Sequence, residues 1–159
     1  SDLAFFLTGG TAWCTGRGEQ VEPLAAGGEL QFVLVCPKVR VSTAEAYRRL
    51  RVPLTGTQAS ATMQRRALET GSADELGRSL FNRLEEPAFA MHPSLAAARE
   101  RLAATGLFAG VVMTGSGSAL FGVCRSGGAA AALERAAALR LGDTYGVRSI
   151  RHGVRMVRP

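Results

Sequence analysis

The chain has 159 residues, of which 47% are hydrophobic, so it can build one domain of ordinary size or one domain and part of another. Its net charge of +6 comes from scattered arginines without interleaved aromatic residues, so we expect no nucleic-acid partner. The apolar runs fall far short of the roughly 18–20 residues that cross a bilayer, so we expect no membrane partner.

The first 28 residues are rich in glycine and hold two strand-like apolar segments, at 5–7 and 11–15. Neither segment has an evident partner strand, so residues 1–28 are interpreted as the end of an N-terminal domain whose larger part is missing. The composition changes at Gly27-Gly28, and a second domain is predicted over residues 29–159. Unpaired strands favour association through their edges, so we expect the polypeptide to expose such edges or to self-associate.

The second domain begins with residues 30–36, an apolar and β-branched run that predicts a buried strand ended by Pro37. Periodicity and start and stop residues predict four helices, over 42–50, 58–69, 73–84 and 93–104. Strands follow at 109–113 and 119–124, then an alanine-rich helix to about residue 141 and a last strand over 145–157. This order predicts an α+β sandwich of the ferredoxin-like kind, with helices packed on one face of an antiparallel sheet.

The chain has three cysteines, Cys14, Cys36 and Cys124, which are far apart and include no C-x-x-C pair. Zinc binding is therefore not expected, and no metal-ligating residue is assigned. An odd number of widely spaced cysteines is typical of reduced thiols, so the sequence predicts a cytoplasmic protein.

Residues 114–122 form a glycine-rich segment, TGSGSALFG, between two predicted strands. Glycine permits positive φ angles and the close approach of a ligand, and successive amides in such a turn can bind an anion. A glycine hairpin that only joins two buried strands explains the pattern equally well. A P-loop is excluded because no Lys-Ser or Lys-Thr follows, and a Rossmann turn because a strand rather than a helix follows.

The same segment resembles the third conserved motif of the GHMP kinases, a glycine-rich loop close to the phosphates and the phosphoryl acceptor. Other stretches resemble one branch of that family and occur in the same order: SDLAFF at 1–6, GGTA at 9–12, GRGE at 16–19, LVCP at 34–37, VSTAEAY at 41–47, FNRLE at 81–85 and HP at 92–93. The ordered set covers nearly the whole chain and separates this branch from homoserine and mevalonate kinases.

The resemblance implies an ATP-dependent kinase, with Mg²⁺ as its metal, that phosphorylates the 2-hydroxyl of 4-diphosphocytidyl-2-C-methyl-D-erythritol in non-mevalonate isoprenoid precursor biosynthesis. It assigns catalysis to Asp2, whose carboxylate would orient or deprotonate the acceptor hydroxyl. Tyr47 matches an aromatic residue that stacks on the cytosine of the substrate, and Thr43 lies in the same pocket. The resemblance assigns the contacts to the phosphates or the acceptor to Thr114, Gly115, Ser116, Gly117 and Ser118.

Each assignment has a plainer alternative in the sequence. Asp2 taken alone is an ordinary solvated residue, Tyr47 fits a helix position packed on the sheet, and Thr43 fits a helix N-cap. Five other motif residues are assigned to structure rather than to chemistry: a turn for Gly16, Gly18 and Glu19, and bonds to backbone for Asn82 and Glu85.

The sequence also departs from the family pattern. Ala4 stands where the family has Pro, and Arg83 stands where it has Asp. The second glycine-rich loop of the family, which cradles the ATP phosphates at the start of a helix, and an early Lys have no counterpart and belong upstream of Ser1. We therefore expect the polypeptide alone to be inactive and to need the N-terminal half of the same kinase.

Two other functions stay open on the sequence alone. One is a different GHMP kinase that acts on another alcohol or sugar. The other is a non-catalytic α+β module that binds a ligand at the glycine turn.

Overall fold

The computed structural model describes residues 3–51, 58–151 and 153. Within these residues the helices are α1 (Leu3–Thr8), α2 (Thr43–Arg49), α3 (Gln58–Thr70), α4 (Ala73–Ser79), α5 (Glu85–Met91), α6 (Pro93–Ala103) and α7 (Ala129–Ala138). The strands are β1 (Thr11–Thr15), β2 (Gln20–Leu24), β3 (Gln31–Cys36), β4 (Phe108–Met113), β5 (Leu120–Cys124) and β6 (Asp143–Arg148). None of the described helices is long and apolar enough to cross a membrane.

A four-stranded antiparallel sheet, ordered β4-β5-β3-β6, forms the centre of the fold. The predicted strand at 30–36 becomes β3 and occupies an inner position, where Val35 pairs with Leu120 and Phe32 with Val123. The order of strand, helices, hairpin, helix and strand confirms the predicted α+β class and its ferredoxin-like connectivity.

The helices, however, are divided between the two faces of the sheet rather than gathered on one. Val33 and Val35 pack in a core with residues of α2, α5, α6 and α7, including Ala46, Ala88, Leu102 and Ala136. Phe32 points to the opposite face, where Val123 packs with Ala67 of α3 and Leu76 of α4. The run LQFVLVC is apolar at successive positions, which is the pattern of a strand that is buried on both faces.

Three other predicted elements differ from the structure. The strand predicted at 5–7 is part of α1, because a short apolar run carries no periodicity that separates helix from strand. The helix predicted over 73–84 ends at Ser79, and α5 follows after a turn. The last strand ends at Arg148; Ser149 then bonds to Leu30, and the predicted strand residues 152 and 154–157 lie outside the described part of the chain.

The strand at 11–15 has a partner that was missed in the sequence, the strand β2. Trp13 pairs with Glu22 in this antiparallel hairpin, whose second strand also contains Pro23. Glu and Pro are unfavourable in strands, and Pro is tolerated here because a two-stranded sheet has only edges. Glu22 forms an ion pair with Arg65, with 2.7 Å between Oε1 and Nη2, which connects the hairpin to α3.

The N-terminal region nevertheless exposes apolar side chains. Phe6 and Leu7 of α1 are 59% and 78% exposed. The expected unpaired strands are absent here, because residues 5–7 are helical and β1 pairs with β2; self-association of the polypeptide stays a prediction.

Two glycines bring α4 against the sheet. A Cβ atom added at Gly110 of β4 would lie 2.2 Å from the carbonyl oxygen of Gly77 in α4. No side chain fits at either position, so helix and strand backbones are in direct contact. The segment that follows α4, residues 80–84, lies beside the end of β4, where Asn82 bonds to the Met113 carbonyl.

Candidate functional site

The glycine-rich segment forms the loop between β4 and β5, residues 114–119. It is closed by the Thr114 amide, which donates to the Ala119 carbonyl at 2.9 Å, and by the Gly117 amide, which donates to the Thr114 carbonyl at 3.1 Å. Gly115 and Gly117 have φ angles of 57° and 92°, a region that other residues adopt at a cost. A Cβ atom at Gly117 would also lie 2.7 Å from the Met113 sulfur, so both backbone and packing require glycine there.

Side chains and backbone from distant parts of the sequence hold this loop. The hydroxyls of Thr43 and Ser116 are 2.8 Å apart and share a hydrogen bond. Ser118 donates its hydroxyl to the Pro37 carbonyl at 3.1 Å. The loop is therefore a fixed structure that joins the start of α2 to the end of β4, and it is more than a connection between two strands.

Helix α2 presents Thr43 to the loop because a neighbouring residue caps the helix. Ser42 is the N-cap and accepts a hydrogen bond from the Glu45 amide at 3.3 Å. The N-cap alternative for Thr43 is thus wrong, and its hydroxyl is available to Ser116. Tyr47, about one turn further on, is 59% exposed, whereas Ala46 beside it is buried against the sheet. Tyr47 therefore presents its ring to solvent instead of packing in the core.

The carboxylate on α2 is occupied by arginines. Glu45 forms ion pairs with Arg48 and with Arg49, the latter with 2.6 Å between Nε and Oε1. Hydrogen bonds from Arg48 and then from Arg49 lower the pKa of Glu45. Glu45 is therefore an ionised, paired residue on the helix surface and a poor proton acceptor for a substrate hydroxyl.

The turn after α4 bonds to the backbone at the base of the glycine loop. Asn82 donates its side-chain amide to the carbonyl oxygens of Met113 and Gly115, at 2.7 and 2.8 Å. Glu85 accepts a hydrogen bond from the Met113 amide at 2.8 Å. Backbone bonding by Asn82 and Glu85 was expected from the sequence, but its target was not. The only signal was the motif FNRLE, which does not specify the partner.

Arg83, the departure within this motif, lies next to an exposed aromatic ring. Its guanidinium carbon is 6.0 Å from the centre of the Phe81 ring, within the range of a cation–π contact. Phe81 is 52% exposed, so this contact is at the surface, beside the glycine loop but not part of it.

The turn assigned to Gly16, Gly18 and Glu19 is confirmed. Both glycines have positive φ angles, 67° and 92°, and the Glu19 carboxylate accepts a hydrogen bond from the Arg17 amide at 2.6 Å. Hydrogen bonds from the amides of Glu19 and Arg17 lower the pKa of the Glu19 carboxyl. Arg17 lies in this exposed turn.

Asp2 lies outside the described residues, so its position relative to the loop is a prediction. Across residues 3–51, 58–151 and 153, no three His, Cys, Asp or Glu side chains are grouped so that they would hold a metal ion. All three cysteines are free thiols, and burial raises the pKa of Cys124. The described part of the site thus consists of hydroxyls, backbone groups, one exposed tyrosine ring and the amide of Asn82.

The fold and the glycine loop described above can now be compared with known proteins. A family model described as "GHMP kinases C terminal" matches residues 64–142, and the chain belongs to the GHMP kinase family.

Two relatives that are similar in sequence carry the same name. The chain is 40% identical over 123 residues to the 4-diphosphocytidyl-2-C-methyl-D-erythritol kinase of Pelotomaculum thermopropionicum, covering 77% of this chain and 42% of that protein. It is 39% identical over 128 residues to the chloroplastic enzyme of the same name from Arabidopsis thaliana, covering 77% of this chain and 32% of that protein. The chain thus spans less than half the length of these two relatives.

Two solved structures are similar to this chain in fold, and one of them is a kinase named for the same substrate as these relatives. The crystal structure of a 4-(cytidine 5'-diphospho)-2C-methyl-D-erythritol kinase matches with a TM-score of 0.76 and 34% identity, over 93% of this chain and 53% of that one. Homoserine kinase from Cytophaga hutchinsonii matches with a TM-score of 0.70 but only 21% identity, over 95% of this chain and 52% of that one, which shows a shared fold alone.

Proposed function

We propose that this chain is the acceptor-binding part of an ATP-dependent kinase that phosphorylates the 2-hydroxyl of 4-diphosphocytidyl-2-C-methyl-D-erythritol for isoprenoid precursor biosynthesis. The observation that carries the proposal is the 2.8 Å bond between Thr43 and Ser116, which joins the helix that bears Tyr47 to the glycine loop. A substrate with a cytosine ring at one end and a reacting hydroxyl at the other needs such a connection. Similarity to kinases named for this substrate supports the same conclusion.

In this proposal the exposed ring of Tyr47 stacks on the cytosine, and the Thr43 hydroxyl lies beside it. The loop from Thr114 to Ser118 offers hydroxyls and backbone amides to the phosphates or to the acceptor end of the substrate. Asp2 orients or deprotonates the acceptor hydroxyl for in-line transfer of the phosphoryl group. The cytosine-binding and phosphate-binding ends of the site thus belong to different elements, which the bond between Thr43 and Ser116 connects.

ATP and Mg²⁺ are part of the proposal. The loop fits a phosphate, since it combines positive-φ glycines with the Ser116 and Ser118 hydroxyls. Mg²⁺ prefers carboxylate and phosphate oxygens, and the described loop residues carry no carboxylate. We therefore assign the metal to the nucleotide phosphates and to residues in the N-terminal half of the kinase. Residues 1–28 are proposed as the end of that N-terminal domain, and residues 29–159 as the C-terminal domain.

The longer protein is expected to carry the kinase activity, because the chain spans only 42% of the Pelotomaculum relative. Its free cysteines are those of a reducing compartment, and we propose the cytoplasm as its location.

Binding of a cytidine nucleotide tests the proposal directly. We expect the chain to bind cytidine 5'-diphosphate, and Tyr47→Ala to weaken binding by roughly 5-fold to 100-fold, since one stacked base contributes about 1–3 kcal/mol. Titration calorimetry measures both proteins. Tyr145→Ala is the matched control, because Tyr145 is the only other tyrosine and is 52% exposed on β6.

Two results would contradict the proposal. One is equal affinity for cytidine and adenosine diphosphates, which favours a kinase of another substrate. The other is an equal loss of affinity in Tyr47→Ala and Tyr145→Ala, which would show that Tyr47 is not the ring that stacks on the cytosine.

A further inference from the structure

The base of the glycine loop lies at an open edge of the sheet. Among the described residues, strand β4 is the outermost strand of the sheet and pairs only with β5. Met113 is the last residue of β4 and pairs with Leu120 on the inner side. On the outer side, the backbone groups of an edge strand have no strand to bond with and must find other partners.

The turn after α4 supplies those partners. Glu85 accepts a hydrogen bond from the Met113 amide at 2.8 Å, and Asn82 donates its side-chain amide to the Met113 carbonyl at 2.7 Å. Residues 82–85 thus bond to both backbone groups of Met113, as a neighbouring strand would. Earlier in the chain, Gly77 of α4 lies directly against Gly110 of β4, which keeps the helix before this turn close to the strand.

Asn82 extends this contact into the loop. Its amide nitrogen also donates to the Gly115 carbonyl at 2.8 Å, and its oxygen accepts from the Leu84 amide at 2.9 Å. Because two carbonyl oxygens can only accept, the NH2 group of Asn82 must face them, and its oxygen faces the Leu84 amide. Neither Asp nor Leu can make the same contacts, since an ionised carboxylate donates no hydrogen bond and an alkyl group none at all.

Glu85 is in turn oriented by an arginine. Arg99 of α6 has its buried Nε atom 3.4 Å from Glu85 Oε1, an ion-pair contact. This Nε atom makes no hydrogen bond within the described part of the chain. The Glu85 oxygen that accepts from the Met113 amide is therefore the same oxygen that faces Arg99.

We infer that Asn82 and Glu85 are positioning residues, which hold the backbone of Met113 and Gly115 so that Ser116 and Ser118 are preset for the ligand. Neither residue touches the substrate in this inference. They act through the loop: Asn82 fixes the carbonyl one residue before Ser116, whose hydroxyl meets Thr43 at 2.8 Å. A preset loop binds phosphate without first losing conformational freedom.

Hydrogen exchange of the loop amides tests the inference without any ligand. In Asn82→Asp the donor is lost, and we expect exchange in residues 113–118 to become roughly 10-fold faster or more, as two hydrogen bonds are removed. Gln64→Glu is the matched control, because Gln64 also donates its side-chain amide to a backbone carbonyl, that of Ser79 at 2.6 Å. The control is expected to leave loop exchange unchanged. Unchanged loop exchange in Asn82→Asp, or equal acceleration in both variants, would overturn the inference.

Variants of Glu85 distinguish its hydrogen bond to the Met113 amide from its ion pair with Arg99. Glu85→Gln keeps an oxygen that accepts from Met113, and we expect its loop exchange to be within about 3-fold of the parent chain. Glu85→Ala removes the acceptor and is expected to resemble Asn82→Asp. If Gln and Ala have the same effect, Glu85 serves only to pair with Arg99. Asn82→Ala, which introduces no charge, replaces Asn82→Asp if the latter does not fold.

A binding experiment, which rests on the proposed function, compares two ligands, cytidine 5'-diphosphate and cytidine. Asn82→Asp is expected to weaken binding of the diphosphate about 5-fold or more and to leave cytidine binding unchanged, because only the diphosphate reaches the loop. Equal weakening for both probes would count against positioning. If the parent chain binds neither probe, the proposed function fails, and the exchange experiment alone decides the role of Asn82.

Discussion

Two turns in this protein have nearly the same sequence and very different surroundings. The turn between β1 and β2 reads Thr15-Gly16-Arg17-Gly18, and the loop between β4 and β5 reads Thr114-Gly115-Ser116-Gly117. In each, the amide of the second glycine donates to the threonine carbonyl at 3.1 Å. Both second glycines have a φ angle of 92°. The local backbone is therefore common to the two turns.

What differs is the origin of the contacts. In the first turn, Arg17 bonds to Glu19 and Thr15 donates its hydroxyl to the Gln20 side chain, partners two and five residues away. In the second, Ser116 bonds to Thr43, 73 residues away, and Ser118 to Pro37, 81 residues away. Local hydrogen bonds such as those of Arg17 and Thr15 account for the reversal of the chain at the first turn. A turn held from several directions presents its hydroxyls at fixed positions, which is what a binding site requires.

The largest expected effect is on the free energy of unfolding, when a glycine in one of the two turns is replaced by alanine. Gly117→Ala is expected to cost about 3 kcal/mol, because it combines an unfavourable φ angle with a collision in the core. The added Cβ would lie 2.7 Å from the sulfur of Met113, a side chain that is 1% exposed. Urea unfolding measures the loss of free energy.

Gly16→Ala is the matched variant in the other turn. Its Cβ would also collide, at 2.3 Å from a Glu19 carboxylate oxygen, but that exposed side chain can move away. We expect a cost of about 1 kcal/mol from the φ angle alone. Equal costs for Gly16→Ala and Gly117→Ala would show that the core contact of the loop is unimportant.

A second, smaller effect concerns the threonines. Thr43→Val and Thr15→Val each remove one exposed hydroxyl bond, and each is expected to lower stability by less than about 1 kcal/mol. Only Thr43→Val is expected to weaken cytidine 5'-diphosphate binding, by roughly 5-fold, because it frees Ser116. Thermal unfolding and calorimetry measure the two properties. Weaker binding in Thr15→Val would undo the distinction between the turns.

The smallest effect is a dependence on pH that belongs to the first turn. Amide hydrogen bonds lower the pKa of Glu19 from its ordinary value of 4.5. A carboxyl with a lowered folded-state pKa stabilises the fold fully above that ordinary value, and the stabilisation is lost as pH falls through the lowered pKa. The melting temperature of Glu19→Gln should therefore be below that of the parent chain at pH 7, and the difference should shrink in acid.

The titration of Glu22 does not affect the difference in melting temperature between the parent chain and Glu19→Gln. Glu22 also has a lowered pKa, owing to its hydrogen bond and ion pair with Arg65, but it is present in both proteins and its effect cancels. A difference in melting temperature that stays constant from pH 7 to pH 3 would contradict the role assigned to the Glu19 carboxylate.

Long or strongly marked elements could be predicted from the sequence. The strand at Gln31–Cys36, the helix at Pro93–Ala103 with Pro93 at its start, and the N-caps Ser42 and Ser72 all follow from local patterns. Short elements could not. The helix α1 has six residues without a readable period, and β2 contains Glu22 and Pro23, which obscure a strand whose stability comes from its partner.

By itself, then, the sequence determined the conformation of both glycine turns, because a glycine with positive φ depends only on its own backbone. It also determined that a helix begins near Ser42, but it left the N-cap open between Ser42 and Thr43. Only the tertiary structure decided that the second turn is the one held by Thr43, Pro37 and Asn82. These bonds span 33 to 81 residues, and they exist because sheet pairing and the Gly77–Gly110 contact bring those segments together.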